Sequence, residues 1–273
     1  MSAVLAKRLD AYAAVTRIGF LGPLAFRLFP FMMVISYPII MTGNYFFYRA
    51  IYTSHGNSPI AGLSGDQAIT YMLVGWTVRS FYKNPISRMI GERVKSGEIA
   101  TDLIKPIDFF GLYFCQGFGR GLHRMVFISG PLALLVLISH KVPIPASPVT
   151  WVVFLLSALG GFLINYCMAY LSGIMAFFFE YNDGLDWIVD LLTKLLGGLM
   201  LPLSFFPDKI AAVLKFLPFA GLYYQPAYIF LGKIAGIDAW HAVGFEFLWV
   251  LGLLAVGQFF LGMGRHKLLL QGG

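Results

Sequence analysis

The sequence predicts an all-α integral membrane protein with six transmembrane helices, and three observations carry that prediction. Only 12% of the 273 residues are charged, against 58% hydrophobic and 16% aromatic, with a mean hydropathy of +0.75. A soluble domain carries about 25% charged residues, so this chain has too little polar surface to keep a globule in water. Second, its apolar runs are long and unbroken, as in "WVVFLLSALGGFLINYCMAYLSGIMAFFF". They suit helices of about 20 residues rather than the short alternating strands of a barrel. Third, the runs are separated by turn-rich segments such as "HKVPIPASP", whose prolines break the chain where it meets water.

Residues 2–20 are too polar to span. Coiled as a helix, Leu5, Leu9, Tyr12 and Phe20 fall near one face while Lys7, Arg8, Asp10 and Arg17 fall mostly elsewhere. That pattern suits a helix lying in the headgroup plane. The first span is expected from about Leu28 to Tyr48 and the second from about Gln67 to Tyr82. A third is strongest over Met125 to Ser139, a fourth covers Val149 to Phe178, a fifth Trp187 to Phe205 and a sixth Ala242 to Met263. Between the last two, residues 206–241 are apolar, yet Pro207, Pro218, Pro226, Gly221, Gly232 and Gly236 cut them into pieces too short to cross. Such pieces read as re-entrant helices, tolerated at depth where protein covers their backbone. The whole chain, 1–273, reads as one domain. Arg27 interrupts the early apolar run, so a cleavable signal peptide is not expected.

Orientation follows from the cations. Six spans put both termini on one side, together with Lys7, Arg8, Arg17, Arg79, Lys83, Arg88, Arg93, Lys95, Lys105, Arg265 and Lys267. The other side holds Lys141, Lys209, Lys215 and Lys233. The positive-inside rule therefore places both termini in the cytoplasm, and the acidic loop "EYNDGLD" dissents with little weight. The net charge of +7 is read in the same way, as orientation and contact with anionic lipid rather than nucleic acid. Cys115 and Cys167 lack metal or disulfide spacing.

The most polar long stretch, "RMIGERVKSGEIATDLIKPID", lies between spans two and three. Asn84-Pro85 reads as a helix start and Gly97 as a stop. Between them Ile86, Met89, Ile90 and Val94 form an apolar stripe, with Arg88, Glu92, Lys95 and Glu98 polar. Residues 84–98 thus form a short amphipathic helix on the cytoplasmic side, either a solvated face or a knob that docks into a partner's groove. Pro106 extends the chain before it, and Asp108 can cap span three.

Several charges fall inside apolar segments. Arg120, His123 and Arg124 crowd span three, where a mid-bilayer arginine costs at least about 2.5 kcal/mol. They read either as snorkelling to lipid phosphates or as a basic cytoplasmic mouth for an anionic substrate. Asp186, Asp190 and Lys194 repeat every four residues on span five, and Asp190 with Lys194 reads as an intrahelical pair or as a conduit lining. Glu246 falls near the outer end of span six, within reach of water. No metal-ligand spacing and no catalytic cluster stands out.

The run "GERVKSGEIATDLIKPIDFF" resembles the hallmark of the ABC-2 type transporter permeases, a glycine-acid-apolar segment leading to an "L-x-K/R-P" element. "LPLSFFPDKI" and "LPFAGLYYQPAYIFLGK" are similar to that family's segment before the last span. The likeness is greatest to bacterial members whose substrates are largely uncharacterised, and it implies a membrane subunit of an exporter in the bacterial inner membrane. By the resemblance, residues 2–20 are an elbow helix, 84–98 a coupling helix and 206–241 an extracellular re-entrant lid. Ile86, Met89, Ile90, Glu92, Arg93, Lys95 and Glu98 would contact a separate ATPase subunit. The functional unit would pair two ATPase subunits with two permeases, identical or related. No "GxxxxGK[ST]" loop occurs, "GGLMLPLS" and "GFGRGLHR" lacking its lysine-hydroxyl pair. ATP and magnesium would then sit on the partner, and the chain itself would not be an enzyme. The rival readings are a proton-coupled secondary transporter using Asp190, Lys194 or Glu246, and a membrane scaffold or lipid-modifying enzyme. The cargo, whether drug, lipid, peptide or glycan, is open.

Overall fold

The computed structural model describes residues 2–25, 28–105, 107–139, 144–179 and 183–271. The expectations attached to Arg27, Pro106, Lys141 and residues 180–182 lie outside them. Among the described residues the regular elements are helical, apart from one isolated bridge between Ile60 and Leu63. The helices are α1 (Ser2–Leu21), α2 (Leu28–Ser54), α3 (Gly65–Tyr82), α4 (Ile86–Lys95), α5 (Ile99–Leu103) and α6 (Phe109–Arg124). They continue with α7 (Gly130–Ser139), α8 (Pro148–Ile174), α9 (Asp183–Leu196), α10 (Asp208–Phe216), α11 (Tyr224–Phe230) and α12 (Gly236–Gln271).

Local chemistry sets many of these limits. Ser64 and Gln67 form a capping box at α3, each side chain bonded to the other's backbone amide. Asp108 caps α6 by accepting from the Gly111 amide at 2.9 Å. Pro148 opens α8 at a position where its missing N–H costs nothing. One π turn, Met125–Ser129, joins α6 to α7, so the third expected span starts earlier than its most apolar part.

Helix α8 is the hub, packed against α12, α4, α11, α3 and α9. Tyr82, Tyr166, Tyr170 and Tyr223 are among its fully buried neighbours or its own residues. Among the described residues two helices, Pro148–Phe177 and Gly236–Arg265, are long and apolar enough to cross a membrane. The second exposes Leu248, Leu251 and Phe259 to about two thirds of their surface, a face that only an apolar solvent would favour.

Helix α1 packs along α6, with a Cβ on Gly119 placed 2.1 Å from the Thr16 carbonyl oxygen and one on Gly19 placed 2.3 Å from that of Gln116. Its packed face is Tyr12, Thr16, Gly19 and Phe20, and Leu9 of the expected apolar stripe is left on the outside of the bundle. Two expectations need correction. The fifth span, expected to reach Phe205, is helical for only 14 residues, about 21 Å at 1.5 Å per residue. Gly198 takes φ +80° and ends it. Carbonyls released there are recovered by tyrosines: Tyr71 donates to Gly198 O at 2.6 Å and Tyr48 to Met200 O at 3.3 Å. Lastly, α12 begins at Gly236, so residues 236–241 belong to it and not to the preceding broken segment. In that segment α10 exposes Ile210, Val213 and Phe216, whereas α11 is buried along its whole length.

Candidate functional site

Helix α4 is clamped to the bundle by one face. Asn84, just before the N-cap Pro85, accepts from the Ile86 amide at 3.3 Å and donates to Asn165 Oδ1 of α8 at 3.2 Å, so the start is tied to a neighbouring helix. Ile86 and Ile90 are fully buried. Glycines form their sockets: a Cβ on Gly117 of α6 would lie 2.3 Å from Ile86 Cδ1, and one on Gly173 of α8 would lie 2.9 Å from Ile90 Cδ1. Ser87 Oγ donates to Ser172 Oγ at 3.1 Å beside them. Ile86 and Ile90, expected at an ATPase contact, are thus buried within the chain itself. Met89 is half-buried, while Glu92, Lys95 and Glu98 are exposed and Arg93 lies between. Arg88 and Glu92 pair at 2.9 Å on the exposed face, a surface pair worth little on its own. Gly97 stops the helix with φ +75°.

Below α4 lies a knot that periodicity did not reveal. Asp102 of α5 is 2% exposed. It receives Arg93 of α4 at 3.0 Å, Lys105 at 2.6 Å and the Tyr113 hydroxyl of α6 at 2.8 Å. Its two oxygens are fully engaged, which is the condition under which a carboxylate stays buried. Sequence reading passed over it, although an aspartate inside "IATDLI" with a lysine three residues on was the available signal.

The second site is a cleft of about 450 Å³ between α3, α8 and α9, floored by the start of α4. Arg79, 8% exposed at its side chain, binds Asp190 at 2.9 Å and donates to the Tyr223 hydroxyl at 3.2 Å. Lys194 pairs with the other oxygen of Asp190. The expected Asp190–Lys194 pair is therefore present, with Arg79 as a third member that the sequence had offered only as an orientation marker. Lys83, Asn84, Arg88, Asn165, Asp186 and Thr193 add to the polar lining. On the apolar face of α9 a second cleft, about 350 Å³, is lined by Leu185, Val189 and Leu192 with Met168 and Phe260.

Arg120, His123 and Arg124 do not line the polar cleft. His123 is buried against Phe20 of α1 and Phe127, with ring centroids 5.7 and 4.7 Å away. Glu246 corrects another expectation, since it is 1% exposed instead of reaching water. Its Oε1 accepts from Ser157 of α8 at 2.6 Å, and its carboxyl rests where a Cβ on Gly160 or Gly221 would stand. Among the described residues it shares no hydrogen bond with Asp190, and it does not line the polar cleft.

Residues 38–272 match the family described as ABC-2 family transporter protein. No curated protein and no solved structure gave a match. The matched segment is most of the chain, so the chain belongs to the ABC-2 family and is a membrane-embedded permease of an ABC transporter.

Proposed function

Starting from that membership, we propose that the chain is one of two permease subunits, identical or related, of an exporter driven by two separate ATPase subunits that push on α4. In this reading six crossings are made by α2, α3, the α6–α7 helix, α8, α9 with its broken continuation to Phe205, and α12. Residues 2–20 form the elbow, 84–98 the coupling segment and the broken stretch from 206 the extracellular lid. Both termini face the cytoplasm of a bacterial inner membrane, and ATP with magnesium sits on the partner. The polar cleft of Arg79, Asp190 and Lys194 lies on the path at the permease interface.

The observation that carries the reading is the two-sidedness of α4. Its inner face is wedged into α6 and α8 through Ile86 and Ile90, and Arg93 holds Asp102 and through it α6. Its outer face presents Arg88, Glu92, Lys95 and Glu98 to whatever docks. Displacing such a helix moves two long helices with it, because close-packed contacts transmit strain instead of absorbing it.

The test is a charge reversal that leaves the sockets untouched. Glu92→Lys with Glu98→Lys should reduce ATPase co-purification and transport-coupled ATP hydrolysis at least tenfold while the thermal midpoint of the permease stays put. Full coupling in that variant would refute docking at α4.

A further inference from the structure

Helix α6 carries charge that no carboxylate among the described residues pairs with. Arg120 and Arg124 lie one turn apart, and Nε of the first and Nη1 of the second are buried with no hydrogen-bond partner among the described residues. Among the described residues neither arginine forms an ion pair with a carboxylate, and the nearest charges to Arg124 include Arg120 and Arg79, both of its own sign. Lys83 stands within electrostatic reach of Arg124 and adds further positive potential. The contrast with Arg79, whose guanidinium is bound by Asp190 and Tyr223, is plain. Buried donors are normally satisfied, and a charged one left bare is costly. An anion from outside the chain would supply the missing acceptor, and the planar guanidinium fork fits a phosphate group well.

The surroundings say what is attached to that phosphate. Tyr37, which faces Arg124, also begins a narrow apolar groove of about 70 Å³ between α2 and the α6–α7 helix. Pro38 on one wall and Phe127, Pro131 and Leu135 on the other leave room for a short run of methylenes. Met125 and Val126, immediately after Arg124, are about half exposed on the apolar outer surface of the bundle. The π turn that starts at Met125 is the kind of helix irregularity found at binding sites. We propose that Arg120 and Arg124 bind the phosphate of an anionic phospholipid drawn from the bilayer, with one acyl chain laid along the groove from Tyr37 to Leu135. A soluble phosphate would leave the groove empty, and a zwitterionic lipid would leave the excess charge uncancelled.

The proposal is independent of docking at α4, so lipid retention and ATPase co-purification can fail separately. The full chain, with any co-purifying subunits, is placed in nanodiscs of mixed phosphatidylglycerol and phosphatidylcholine, and retained lipid is weighed by native mass spectrometry. Wild type should prefer phosphatidylglycerol by about fivefold or more for each arginine engaged. Arg120→Gln with Arg124→Gln should bring the preference to parity, and the paired lysine variant should keep most of it. Leu135→Trp, which fills the groove, should weaken retention with both arginines intact. If the glutamine pair does not fold, the lysine pair and Leu135→Trp decide the matter. Equal retention of both lipids by wild type, or a preference that survives the glutamine pair, overturns the proposal. So does displacement by millimolar inorganic phosphate with no effect of Leu135→Trp, which would mark a soluble-anion site. Loss of the preference only when two copies separate would assign the acceptor to the second copy, and that also overturns it.

Discussion

Asp102 and Glu246 are buried to the same degree, 2% and 1% exposed, but their surroundings differ in kind. Asp102 has two cations and a phenol around its two oxygens. Glu246 has one serine hydroxyl on Oε1, and Oε2 has no partner among the described residues. The first is a joint: its partners come from α4, from the chain after α5 and from α6, so it holds three elements in one geometry. The second is a wedge between α8, α12 and the turn at Gly221, placed by shape. Burial alone therefore says little about what a carboxylate does; the count and charge of its partners decides.

Removing the joint should have the largest effect. Asp102→Ala leaves Arg93 and Lys105 facing an empty pocket and Tyr113 without its acceptor, and breaking a buried ion pair costs about 3–5 kcal/mol. Thermal unfolding in detergent measures it, and the contrast with Glu246 fails if the loss is no larger than that of Glu246→Ala. Next come the sockets. Gly173→Val drives a branched side chain into Ile90, where even a Cβ lies 3.0 Å from that of Ile90 and 3.2 Å from Ser87 Cα. Overpacking of this kind costs about 1–3 kcal/mol, and it should lower transport-coupled ATP hydrolysis more than it lowers the thermal midpoint, because it unseats α4.

A third and smaller effect is expected in the polar cleft. Arg79→Leu strips Asp190 of its best partner, yet Lys194 remains and the Asp190 side chain is 41% exposed. Solvent screening reduces the loss, to about 1–2 kcal/mol. Adding Asp190→Leu should recover part of it, and a double-mutant cycle gives the coupling. A double variant as unstable as the sum of the singles would show that the pair, unlike Asp102, holds nothing together.

What the sequence disclosed follows the same division. The limits of α4 were legible because Asn84, Pro85 and Gly97 act on the backbone next to them. Which way its stripe points was not, since Ile86 and Ile90 look the same whether they meet a partner or Gly117 and Gly173, and those glycines are distant in the chain. The Asp190–Lys194 pair was legible at helical spacing, whereas Arg79 joins it only because the fold sets the end of α3 across a cleft from α9. A search for opposite charges buried in different spans would have found it. Glu246 was misplaced because Gly236 was read as a breaker before the last span. It is instead the first residue of α12, which carries Glu246 about three turns into the helix.

That placement yields the smallest predicted effect and the sharpest form of the contrast. Glu246→Gln keeps the length of the side chain and an oxygen to accept from Ser157, and no cation among the described residues is left behind. A buried group replaced by one of its own shape, with its hydrogen bond kept, is nearly neutral, so the thermal midpoint should change by the equivalent of less than about 1 kcal/mol. Asp102→Asn, the same chemical change, should cost several times more, since an amide cannot balance both Arg93 and Lys105. Measured side by side, equal losses would mean that Glu246 has a charged partner outside the described residues. Unequal losses in the predicted order would make partner charge, and not depth of burial, the quantity that separates a joint from a wedge in this fold.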